Sequence, residues 1–166
     1  MELNRRTAVG LLSAAALAGS AITGFAASGH ENHGRHGGQT VFRSALAPTV
    51  LSDPAIHGVA RGGVPWQIDS GQARLRHDGR LTVDIRGLVI PGNGTPGPVT
   101  SVSAGLYCGA DSTSAVATTG AVALSSEGDA RIAQRVSLPA KCLGAIVLVH
   151  PNGNDGAYIA ASGFGG

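Results

Sequence analysis

Aromatic side chains are scarce: one tryptophan, two tyrosines and three phenylalanines in 166 residues. So few are best used in a core, and an aromatic platform for ligands is not expected. Lysine is nearly absent, since eleven of the twelve basic residues are arginine. Together with abundant Ala, Gly and Val, this fits a GC-rich coding bias. The formal net charge is only +2, too weak to expect a nucleic-acid partner. The chain has two cysteines and no Cys-x-x-Cys, which argues against dithiol redox chemistry. There is no Gly-x-Ser-x-Gly and no ordered Ser-His-acid signature. Asp69, Asp84 and Glu127 are the carboxylates available for glycosidase work, and Asp84 and Glu127 sit in ordinary solvated positions. No catalytic residue and no cofactor-binding residue is assigned, and an enzyme is not expected.

The N-terminus carries an export signal. Arg5-Arg6 form a basic start, residues 9–18 are apolar and Ala-rich, and small residues run on to Ala27. The apolar run is too short and too interrupted for a membrane span. Cleavage is expected after Ala26, with Ala27 and Ser28 as alternatives. Asn4 to Val9 looks like a twin-arginine signal, and a general secretory signal fits equally. No cysteine lies near the cleavage region and no hydrophobic tail closes the chain. The mature protein is therefore read as secreted, without a stable membrane anchor. The domain reading is 1–27 signal peptide (helical), 28–40 disordered His/Gly-rich linker, and 41–166 one folded domain. An even cysteine count in an exported chain predicts a disulfide, Cys108–Cys142.

The folded part is organised around residues 72–90, QARLRHDGRLTVDIRGLVI. Ala73 and Leu75 alternate with Arg74 and Arg76; Leu81, Val83 and Ile85 alternate with Arg80, Thr82, Asp84 and Arg86. Period-two alternation places successive side chains on opposite sides of a strand. Asp78-Gly79 between the runs predicts a hairpin with both turn residues at positive φ. Its second strand is expected to continue through Gly87, Leu88, Val89 and Ile90. Further strands are expected over 41–46 (ended by Pro48), 57–60, 64–68 as an edge, 99–108, 145–150 and 157–161. A second hairpin is expected to pair 116–124 with 130–138. Val102, Ala104, Leu106 and Cys108 should face the core, with Ser101, Ser103, Gly105 and Tyr107 on the other side. Trp66 should cap one end of the core. Residues 91–98 and 152–156, rich in Gly, Pro and Asn, are loops. Short strands with regular turns and no helical period after the signal predict an all-β domain, best arranged as an antiparallel β-sandwich.

The runs VFRSALAPTV, RLTVDIRGLVIPGNGTPGPVTSVSAGLYCG and VLVHPNGNDGAYIAASGF together resemble small exported actinobacterial proteins across nearly all of the mature chain. That resemblance implies secretion and a β fold and carries no activity. A second likeness, in architecture, is to the chordin-type (CHRD) β-sandwich domain. It rests on an opening strand, a D-G-x-L-x-V-like hairpin and a late H-x-N-like segment in that order. The A-H-I-H-x-G signature of that family is missing here, so no site residue is carried over. The fold implied is an Ig-like or CHRD-like sandwich.

Histidine offers the remaining candidate chemistry. His30, His33 and His36 recur every three residues, and imidazoles suit Cu, Ni or Zn. Cleavage after Ala27 would begin the chain Ser28-Gly29-His30, a donor set for square-planar Cu(II) or Ni(II). A solvated linker explains the same residues. His57 and His150 sit at strand ends and could meet in space, with Asp155 as a third ligand; His77 belongs to an exposed turn. Hydrogen-bonded structural histidines explain these as well. The function expected is a non-enzymatic extracellular binding or structural module with an extracellular or cell-surface partner. A secreted metal-binding protein and a small secreted hydrolase are the alternatives. The expected contact surfaces are residues 91–98 and 152–156, because loops carry function on rigid β scaffolds.

Overall fold

A computed structural model describes residues 38–110 and 113–163. The stretch read as a signal peptide, most of that read as a linker, and His30, His33 and His36 lie outside the described residues. The strands are β1 (Thr40–Pro48), β2 (Ala60–Arg61), β3 (Ser70–Arg76), β4 (Arg80–Arg86), β5 (Ser101–Tyr107), β6 (Ala117–Thr118), β7 (Val122–Ala123), β8 (Ala130–Arg135), β9 (Ile146–Pro151), β10 (Ala157–Tyr158) and β11 (Ala160–Ser162). Nine of them form one sheet in the order β6-β5-β9-β11-β1-β3-β4-β8, with β7 also on β5. The protein is all-β, and β1, β3, β4 and β8 form a curled antiparallel half-barrel.

β1 joins the two halves of the sheet. Its residues 40–45 pair with β3, and Leu46, Ala47 and Pro48 pair with β11. Pro48, expected to stop the strand, is its last residue. Thr40, expected in the linker, already belongs to β1, and Gln39 accepts a hydrogen bond from the His77 N–H. Both halves turn their apolar sides to one core. Ala73, Leu75, Leu81, Val83, Ile85 and Ile132 meet Val102, Ala104, Leu106, Val147, Val149 and Ala160 there. Trp66 joins this core as expected.

The central hairpin forms with the alternation intact, and Leu75 lies opposite Leu81. Its turn differs from the expectation. Only Gly79 takes positive φ (82°), and the loop is three residues long, His77-Asp78-Gly79. Such a loop needs one left-handed residue at its end. The Asp78 carboxylate accepts from the Arg80 N–H, which holds its pKa below the ordinary value.

Several expected strands are corrected. β4 stops at Arg86, because Gly87 turns to φ 64° and donates its N–H to the Asp129 carboxylate. Residues 64–68 form no strand; only Gln67 bridges Val89, and Pro65 has no N–H for a ladder. Residues 57–60 are not a strand either. His57-Gly58, at φ 51° and 76°, make a tight turn between Ile56 and Val59, and β2 follows. The hairpin expected between 116–124 and 130–138 does not form. Ser125 to Asp129 turn sharply, but β6 and β7 then pair with β5 while β8 pairs with β4. The turn is held by β4's continuation instead, where the Leu88 N–H donates to the Gly128 carbonyl. The sheet is also not the whole of the β structure, since β2 and β10 pair in parallel.

Asp129 ties this crossing together. It accepts from Arg86 at 2.7 Å and from the Gly87 N–H at 3.1 Å. The Arg86 hydrogen bond, then the Gly87 one, lower its pKa. A carboxylate with a lowered folded-state pKa contributes fully above its unfolded value and loses that contribution as pH falls through the folded one. Stability should therefore decline below about pH 4. Asp129→Asn should remove part of that acid-side decline in a series of urea melts against pH; an unchanged slope would refute the assignment.

Candidate functional site

β5 and β9 are buried on both sides, which the alternation of β5 did not foretell. On their second side Tyr107 and Leu148 pack with Val59 and Tyr158 in a smaller core. Ser103 and Tyr107, expected outside, are buried. Ile56, Ala115, Ile146 and Ala161, each partly buried, pack against this smaller core. A glycine at position 105 is what this core requires. A Cβ there would stand 2.7 Å from the His150 Nε2 and 2.9 Å from the Tyr107 ring. Gly105 thus makes the socket for the His150 imidazole, and a glycine inside a strand was the available signal of close approach.

His150 is wholly buried. Its Nδ1 lies 2.7 Å from the Ala157 carbonyl, which can only accept, so Nδ1 carries the proton. Nε2 is then the acceptor for the Tyr107 hydroxyl at 3.4 Å. Burial, with the Asp155 charge adding to it, raises the Tyr107 pKa and keeps that hydroxyl protonated. His57 stacks on the Tyr107 ring with centroids 5.2 Å apart. The structure therefore brings His57 and His150 each against Tyr107, and both ring nitrogens of His150 are engaged. Among the described residues no group of three His, Cys, Asp or Glu side chains could hold a metal ion. Tyr158, its pKa raised chiefly by burial, donates to the Pro54 carbonyl at 2.7 Å. Of the carboxylates considered above, Asp84 is exposed and paired with Arg131, and Glu127 accepts from the Ser126 hydroxyl in an exposed turn.

The two candidate loops meet. Asn152 and Gly153, at φ 51° and 69°, form the tight turn after β9 that an Asn-Gly pair favours. The Asn152 side chain then reaches across to the other loop. Its Oδ1 accepts from the Thr100 N–H at 3.0 Å and the Ser101 N–H at 3.3 Å, and its Nδ2 donates to the Pro98 carbonyl at 3.3 Å. One side chain thus fastens residues 91–98 to the turn at 152–156. Beside this junction lies a mainly apolar cleft of about 240 Å³, lined by Val64, Trp66, Ile90, Pro98, Val99 and Pro151 among others. Gly62 keeps the cleft's floor thin, since a Cβ there would meet Ile159 at 3.1 Å. Loop composition pointed to the two loops. The cleft between them had no sequence signal, because its walls come from three distant stretches.

The disulfide forms as expected between Cys108 and Cys142, with Cα atoms 5.1 Å apart. It ties the end of β5 to the segment leading into β9, and the Gly109 N–H donates to the Leu143 carbonyl beside it. No protein-family model matches the chain, and no curated protein or solved structure matches it either.

Proposed function

We propose that this is a secreted, non-enzymatic binding module, a β-sandwich of Ig-like or chordin-type design akin to small exported actinobacterial proteins. The partner is an extracellular protein that inserts one apolar side chain into the cleft between residues 91–98 and 152–156. The observation that carries this reading is the fastening of both loops by Asn152 beside that cleft. Binding sites favour concave, mostly apolar surfaces with a few fixed polar groups at the rim. The cleft has room for a side chain rather than for a drug-sized molecule. The sandwich reading is supported by a sheet whose two halves share β1 and a single core. The disulfide is consistent with an extracellular protein.

The test is amide chemical-shift mapping with a panel of short peptides that each present one aliphatic or aromatic side chain. Shifts are expected at Val64, Ile90 and Val99 with a subset of the peptides. Val64→Arg, placed at an exposed cleft wall, should abolish them without moving the melting temperature by more than a degree or two. Absence of shifts with every peptide, or shifts confined to another surface, would overturn the reading.

A further inference from the structure

The outer side of the half-barrel is an arginine field. Arg43 on β1, Arg74 on β3, Arg80 and Arg86 on β4, and Arg131 and Arg135 on β8 are exposed on it, and Arg76 on β3 is half-buried beside them. The carboxylates on this side are Asp78, Asp84 and Asp129, and each is committed: Asp78 to Arg135 at 3.3 Å, Asp84 to Arg131 at 3.4 Å and Asp129 to Arg86 at 2.7 Å. Arg43, Arg74 and Arg80 are exposed and have no carboxylate within ion-pair distance among the described residues. The register brings these cations together. Arg43 lies directly opposite Arg74, and Arg80 directly opposite Arg135. Like charges facing each other across a strand pair destabilise a sheet. The positions beside them carry small, uncharged side chains, with Thr82 opposite Arg74 and Ala133 opposite Thr82.

The geometry points to this face as a docking surface for a linear acidic polysaccharide. Guanidinium groups fork onto carboxylate and sulfate oxygens, and anionic groups on a chain would relieve the Arg–Arg oppositions. Adjacent strands lie about 4.8 Å apart, close to the advance per sugar of an extended glycan lying across them. A lipid surface fits less well, because Val41 is the one large apolar side chain exposed on these four strands among the described residues, too little to insert. Single-stranded nucleic acid fits less well too, because Trp66, Tyr107 and Tyr158 are buried and none is available for stacking. This surface is distinct from the loop cleft, so either can fail alone.

Heparin fragments and a polyuronate, titrated into the protein by calorimetry at about 0.1 M salt, test it. Both should bind, and affinity should fall steeply as salt rises. R43Q/R74Q/R80Q should weaken binding by about tenfold or more while its melting temperature holds or rises. The single variant Arg74→Gln should weaken binding more than Arg61→Gln, which removes the same charge from β2, a strand outside the half-barrel that pairs with β10. That pair decides the matter even if the triple variant folds poorly. Equal effects of Arg74→Gln and Arg61→Gln would overturn the proposal, as would no binding of either glycan. Tighter binding of duplex DNA or anionic vesicles at the same salt would overturn it as well.

Discussion

Gly128→Ala is expected to lose more than about 4 kcal/mol and to leave little cooperatively folded protein. Gly128 sits at φ 81° in the crossing between the two halves of the sheet. A Cβ there would stand 2.6 Å from the Leu88 carbonyl carbon and as close to the other backbone atoms of that residue. Leu88 is fully buried and its N–H donates to the Gly128 carbonyl, so the backbone it would strike has nowhere to go. Gly92 separates the two costs contained in this number. It has nearly the same backbone angle, φ 85°, and nothing within 4 Å of its Cβ position. Gly92→Ala should therefore lose only the left-handed strain, about 1–2 kcal/mol. Urea unfolding of both variants checks the difference. Equal losses would mean that strain alone acts at Gly128 and that the grip of Leu88 on this turn contributes nothing.

Cys108→Ser should cost about 3–4 kcal/mol under oxidising conditions, on the loop-entropy account for a sequence separation of 34. That corresponds to a fall in melting temperature on the order of 10 °C. The wild type melted in reductant should approach the variant, because the lost constraint is the same. If oxidised wild type and variant melted together, the bond would not stabilise the fold.

Much of the half-barrel was legible because its strands are buried on one side only. There the alternation of Leu81, Val83 and Ile85 with Arg80, Asp84 and Arg86 states the strand and its inner side at once. β5 was half legible. Its Val102, Ala104 and Leu106 set reads as core, but Ser103, Gly105 and Tyr107 look like a solvated side and are in fact the base of a second core. The small polar residues there do not signal burial, since the side chains packed on this side, Ile56, Val59, Ala115 and Tyr158, come from distant stretches. Of the candidate site, the loops were legible from Gly, Pro and Asn, and Asn152-Gly153 took the turn expected of it. Their adjacency was not, because it depends on the pairing of β5 with β9 and on an Asn152 side chain that reaches across 54 residues of sequence.

The sequence by itself determined that the described chain is β, that it turns near residues 78–79, 91–98 and 152–156, which side of β3 and β4 is apolar, and that its two cysteines pair. These follow from side-chain period, positive-φ turn chemistry and an even cysteine count, all of which are local or have one solution. The tertiary structure alone decided partners. It sent β7 to β5 and β8 to β4, placed β2 parallel to β10, set His57 and His150 against Tyr107, and gathered Arg43, Arg74 and Arg80 on one face. The reason is physical: an alternating strand specifies which side it must bury, and many neighbours can bury it equally well. Only the simultaneous filling of one core selects among them.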